Sequence, residues 1–139
     1  AICDLIHICP EALKIIYRSK PKDKVILITD SMQATGMPDE EYKIGSLPVF
    51  VKDGTVRLKD GTLAGSSLRS NVALKNYVEK VGVPLSEAHL ALTANPAAAL
   101  GLKNQIGTLN FGAFGSIVAL DDNFNVKLTI KNGKIVYKA

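Results

Sequence analysis

The stretch Lys24-Val25-Ile26-Leu27-Ile28-Thr29-Asp30 decides the fold class. Five unbroken apolar or β-branched residues, Val25 to Thr29, run straight into a carboxylate. The run is too short for a helix and lacks the alternation of a half-exposed strand. It reads as a strand buried on both faces, the habit of parallel sheets. In open α/β sheets and α/β barrels the chemistry sits at the carboxyl ends of such strands, which makes Asp30 a candidate catalytic acid or base. Asp is also common in turns that follow strands, and position alone leaves both readings open.

The segment before it repeats the pattern. Ala1 to Ile8 is mostly apolar and reads as a strand ending near His7. Pro10 suits the first position of a helix, and Glu11 suits its first turn. Leu13, Ile16 and Tyr17 fall at helical spacing, and Pro21 ends the element. Strand, helix and strand in succession make a βαβ unit with a right-handed crossover. His7 and Asp30 are then expected to end neighbouring parallel strands on one side of the sheet. A lone strand-end His is commonly a core or turn residue; paired with Asp30, it becomes a site candidate.

A chain of 139 residues suits one ordinary domain, and 47% hydrophobic content is ample for a core. The balance of 17 basic against 13 acidic residues, +4 in all, favours an anionic substrate. It gives no nucleic-acid signature, because the lysines are scattered from Lys14 to Lys138 without an aromatic platform. Cys3 and Cys9 form no zinc pattern and read as buried free thiols of a reducing compartment. No long apolar span or leader is recognisable, so no membrane partner and a cytoplasmic location are expected. The chain begins inside an apolar strand, where a more polar lead-in is usual, and so reads as the C-terminal part of a larger protein.

Downstream of Asp30, Ser31 to Pro38 is a small-residue loop suited to approaching a ligand. Leu47 to Lys52 and Thr55 to Lys59 are expected strands, joined at Asp53-Gly54, a strong two-residue turn. Asp60-Gly61 turns again, and Thr62 to Ser67 leads into a helix from about Leu68 to Val81, stopped at Gly82. Leu68, Val72 and Tyr77 lie on or near its apolar face. Residues 62–67 fit either a phosphate cradle, since amides before a helix bind anions, or a capped helix start. Ser86 is expected to cap a helix through about Ala94, broken by Asn95-Pro96, with a short helix from Pro96 to Gly101. His89 reads as structural or solvated. The rest is β: Ser116 to Leu120, Val126 to Lys131 and Lys134 to Lys138, with Asn132-Gly133 as a hairpin turn. The change from βα to all-β falls near Gly107.

Four motifs, in order and at family spacing, carry a resemblance. They are Asp4-Leu5-Ile6-His7, Ile28 to Gly36, Asp60 to Ser67, and Thr93-Ala94-Asn95-Pro96-Ala97. Together they resemble the C-terminal part of the N-acetylglucosamine-6-phosphate deacetylases of the amidohydrolase superfamily, across essentially the whole chain. The resemblance implies an α/β fold: the last two βα units of a (β/α)₈ (TIM) barrel in residues 1–106, with a hairpin insertion at 42–61. Residues 107–139 then supply C-terminal strands of a small composite β-sandwich.

By that resemblance Asp30 is the catalytic acid/base, acting on a metal-bound water and then on the leaving amine. Such a group contributes roughly 10²–10⁴-fold. His7 contacts the amino-sugar phosphate substrate, Asp4, Leu5 and Ile6 help to shape the pocket, and Leu63, Ala64 and Gly65 match the substrate loop. The family's divalent metal, zinc or iron, is held by a Glu and two His on earlier strands, and no residue of this chain matches those ligands. A homodimer is the expected assembly. Leu5 stands where the family usually has Gly, Cys9 where a second His often follows, and Phe114-Gly115-Ser116 where an Ala-Asp pair is common. The alternatives are another amidohydrolase, acting on a cyclic amide or urea, and a non-catalytic interaction fragment.

Overall fold

The computed structural model describes all of residues 1–139. The segment 25–32 is its spine. On one side it pairs in parallel with the chain start: Ile28 N–H donates to Ala1 O at 2.9 Å, the Ala1 ammonium donates to Ile26 O at 2.7 Å, and Ile2 lies opposite Ile28. On the other side it pairs in parallel with residues 63–66. Ser66 N–H donates to Asp30 O and Met32 N–H donates to Ser66 O, both at 2.9 Å.

Two expectations about the spine are corrected. Val25 and Leu27 are buried, but Ile28 is 51% exposed, so this chain covers the run on one face only. The covered face packs under the helices, while on the other face Ile26 is half-buried and Ile28 exposed. The first segment pairs only at its start. From Asp4 to Ile8 it bends away instead of continuing as a strand, because the Asp4 carboxylate gathers the backbone N–H groups of Ile6 and His7 into a turn.

Helix α1 spans Pro10–Ser19, with proline at its start and Glu11 in its first turn as expected. The sheet that follows has strands β1 (Glu41–Ile44), β2 (Leu47–Lys52), β3 (Thr55–Arg57) and β4 (Leu63–Ser66), antiparallel in that order. The Asp53-Gly54 hairpin is present, both residues at positive φ (49° and 76°). β1 was not foreseen. Nor was β4, expected as a loop entering a helix. β4 joins β3 on one edge and the spine on the other, fastening the hairpin sheet to the parallel pair. A small core of Ala34, Val49, Val51 and Val56 seals this unit.

Helix α2 spans Ser70–Glu79, shorter at both ends than expected. It buries Ala73, Leu74 and Tyr77 and leaves Val72 exposed, a correction to the expected face. Helix α3 (Leu85–Ala88) continues as a 3₁₀ turn through Leu92. Ser86 lies inside α3, and Pro84 occupies the cap. Helix α4 (Ala94–Ala99) contains Asn95 and Pro96 in its first turn, where proline's missing N–H leaves no helical bond unmade. Asn95 does not break a helix. It is buried, and its side-chain amide donates to Lys22 O and Val25 O, both at 2.7 Å, clamping the start of the spine. Strands β5 (Ile117–Leu120), β6 (Val126–Lys131) and β7 (Lys134–Lys138) form a separate antiparallel meander, at close to the expected boundaries.

The main core gathers Cys3, Leu13, Leu27, Leu74, Tyr77 and Ala91 between the spine and the helices. Cys9, expected to be buried, is exposed just ahead of Pro10, where the chain turns outward into α1. Burial pushes the Cys3 thiol up from 9.0 to about 11, and the nearby Asp4 carboxylate adds to the rise. A raised folded-state value means that the native state favours the protonated thiol. That stability is complete below pH 9 and is lost as pH rises toward 11. The unfolding midpoint is expected to fall across this window more steeply in the wild type than in Cys3→Ala. Equal slopes for the two proteins would show that the thiol does not titrate in this environment.

Candidate functional site

Asp30 closes the spine with φ at +51°, a left-handed conformation that Asp tolerates better than most residues. The backbone there is fixed from three directions. Its own carbonyl accepts from Ser66 N–H at 2.9 Å, the Ser66 hydroxyl donates to Thr29 O, and the Ser31 hydroxyl donates to Leu68 O. Ser66 is 1% exposed, so its hydroxyl is a buried brace beside Asp30. Neither serine was singled out in the sequence; the only signal was membership of two motifs now seen to lie side by side.

Asp30, itself exposed, lines an open cavity of about 600 Å³. Ala64 and Gly65 line the same cavity, as do Gln33 and Lys43. Gly65 sits at φ +74°, and a Cβ on it would lie 3.4 Å from Asp30 O, so the absence of a side chain lets β4 approach the end of the spine. Leu63 is half-buried, pairs with Arg57 and lines no part of this cavity. The Ser66 amide is already bonded to Asp30 O, which argues against reading 62–67 as a free anion cradle.

Asp4, Leu5, Ile6 and His7 gather separately. Asp4 Oδ2 lies 2.6 Å from His7 Nδ1, while Oδ1 accepts from the N–H groups of Ile6 and His7, each at 3.0 Å. Burial pushes the Asp4 carboxyl up, but these backbone bonds and the His7 ring outweigh it and hold it below the usual carboxylate value. Leu5 packs against the main core. Asp4 and Ile6 line a second cavity, about 380 Å³, with Ser67 and Arg69. The chain therefore brings Asp30 to Ala64 and Gly65, and Asp4 to His7, but neither cavity is lined by both groups.

No three His, Cys, Asp or Glu side chains converge anywhere to hold a metal ion. The donors of this chain do not fit a resident metal. His89 is exposed on its 3₁₀ turn, its ring nitrogen 3.0 Å from Leu85 O, consistent with a structural or solvated residue. No helix is long and apolar enough to cross a membrane.

Comparison with known proteins places this geometry in a family. The N-acetylglucosamine-6-phosphate deacetylase of Vibrio furnissii is 37% identical over 138 residues, which make 99% of this chain and 34% of the relative. A putative N-acetylgalactosamine-6-phosphate deacetylase of Escherichia coli K12 is 39% identical over 126 residues, 91% of this chain and 75% of the relative. Among solved structures, the N-acetylglucosamine-6-phosphate deacetylase of Thermotoga maritima superposes with a TM-score of 0.91 at 38% identity. It covers 99% of this chain and 38% of that one. The chain thus spans about a third of the length of the Vibrio relative and three quarters of the Escherichia coli one. The sequence model described as the amidohydrolase family matches residues 11–136, and the chain belongs to that family.

Proposed function

We propose that this chain is the C-terminal part of an enzyme that hydrolyses N-acetylglucosamine 6-phosphate to glucosamine 6-phosphate and acetate. The observation that carries the reading is the meeting of Asp30 with Ala64 and Gly65 in one cavity. These residues come from two motifs far apart in sequence, in a chain 38% identical to a solved deacetylase.

In this reading Asp30 takes a proton from the water that attacks the acetamide carbonyl. As the C–N bond breaks, it returns that proton to the leaving amine. Proton transfer of this kind contributes roughly 10²–10⁴-fold. The bonds from Ser66 and Ser31 fix the backbone from which the carboxylate projects. Amidohydrolases are generally metal-dependent, and the divalent metal, zinc or iron, finds no ligand set here, so it is assigned to residues outside these 139. His7 takes the sugar phosphate. Residues 1–106, with the insertion at 42–61, form the end of a (β/α)₈ barrel, supported by the parallel pairing on both sides of the spine. Residues 107–139 give sandwich strands, supported by a separate three-stranded sheet whose last strand is exposed throughout. The exposed apolar residues of that sheet are consistent with a homodimer or with cover from another part of the protein. A cytoplasmic location accords with a sugar-phosphate substrate.

A second reading has its own support. The two galactosamine-type relatives are each 39% identical, as near as the glucosamine-type ones. The epimers differ at one hydroxyl, so the choice lies in a few contacts. Acetate release by the full-length protein from the two N-acetylhexosamine 6-phosphates, with dihydroorotate alongside, separates the possibilities. Turnover is expected to be fastest with the gluco epimer. Faster turnover of the galacto epimer would move the assignment to the second reading, and turnover of dihydroorotate alone would end both.

A further inference from the structure

We propose that Asp4 is a positioning residue, which fixes His7 as the Nδ1-protonated imidazole and leaves Nε2 as the one ring nitrogen offered to the substrate. The proposal deepens the amino-sugar phosphate reading and rests on it for the identity of the ligand. By the resemblance Asp4 helps to shape the pocket, and it does line the smaller cavity. Its carboxylate is in addition engaged within its own turn. It accepts two backbone N–H bonds through Oδ1 and the His7 ring through Oδ2 at 2.6 Å, with its side chain 6% exposed.

Those bonds keep the carboxyl below its usual range, so at neutral pH it is ionised and only accepts. His7 Nδ1 must therefore carry the proton of their shared bond. A ring tied at Nδ1 has one free nitrogen. Nε2 accepts a sugar hydroxyl while the ring is neutral and donates to a phosphate oxygen once the ring is protonated. The His7 side chain is 20% exposed, enough for that single edge to be reached.

The turn itself is built to hold this geometry. Leu5 sits at φ +67°, in the left-handed region that disfavours a side chain by roughly 1–2 kcal/mol. In this chain the half-buried Leu5 side chain packs against the main core, which offsets part of the strain and ties the turn to the fold. Just ahead of it, Cys3 O accepts from the Asn76 side-chain amide of α2 at 2.9 Å. Asp4 and His7 thus leave a fixed point and meet across an anchored turn.

Nitrogen-15 NMR of the imidazoles in the full-length protein reads the tautomer directly, without a variant. At a pH where His7 is neutral, Nδ1–H is expected. In Asp4→Asn, whose amide can donate to Nδ1, the proton should move to Nε2, with KM rising about tenfold and kcat changing less than about threefold. A wild-type ring protonated at Nε2 would overturn the assignment, as would an Asp4→Asn enzyme with unchanged tautomer and KM. If the wild type releases no acetate from either epimer, the proposed function fails, and the tautomer measurement still decides the role of Asp4.

Discussion

Asp30→Asn is expected to lower kcat of the full-length enzyme by at least about 10²-fold while KM stays within a few-fold of the wild type. Asn is nearly the same size as Asp and also tolerates the left-handed conformation that residue 30 adopts at φ +51°. The bonds that fix the backbone here involve the Asp30 carbonyl, the Thr29 carbonyl and the Ser31 side chain, none of which the substitution removes. The fold and the shape of the cavity are therefore retained. What disappears is the capacity to accept a proton, since an amide oxygen is far too weak a base at neutral pH. Comparing kcat, KM and the thermal midpoint of the two proteins tests this. Near-normal turnover in a folded Asn variant would remove Asp30 from the chemistry, and the role would have to pass to another group.

What could be read from the sequence, and what could not, follows the range of the interactions. The Asp53-Gly54 and Asn132-Gly133 hairpins were legible because a two-residue turn states its own backbone requirement: Asn132 and Gly133 sit at φ 49° and 78°. β4 was not legible. It pairs with β3 across the irregular Asp60-Gly61 turn and is tied on its other edge by Ser66 to residues 29 to 32, more than 30 positions away, and no local pattern in Leu63-Ala64-Gly65-Ser66 announces such a partner. The unbroken run Val25–Thr29 promised burial on both faces, yet Ile28 is half exposed. Hydrophobic continuity says that a strand is fit to be covered, not that this chain supplies the cover. At the site, Asp30 was legible from its place at the end of that run. His7 was legible from its place near the end of the first apolar segment, but its bond to Asp4 was not, because a side-chain contact across a bent turn has no period to detect. Asn95 was seen as a helix breaker when its side chain is a clamp, since a buried amide bonded to two carbonyls is indistinguishable in sequence from a surface one.

The other large effect is expected away from Asp30. Gly107→Ala should destabilise the protein by about 2–5 kcal/mol, the sum of left-handed strain and overpacking against backbone. Gly107 lies at φ +74°, and a Cβ there would sit 2.5 Å from Thr93 O, 2.7 Å from Thr93 C and 3.0 Å from Ala94 N. These are backbone atoms that begin α4 and cannot rotate aside as a long side chain would. Relief requires the start of α4 to shift, and Asn95 in that first turn holds Lys22 O and Val25 O at the head of the spine. The displacement should therefore reach the segment that ends in Asp30. Gly133→Ala is the control: its φ is +78°, but no atom lies within 4 Å of the added carbon, so only the conformational cost of about 1–2 kcal/mol applies. Urea denaturation of the two variants separates clash from strain, and equal losses would mean that the loop at Gly107 does not press on α4.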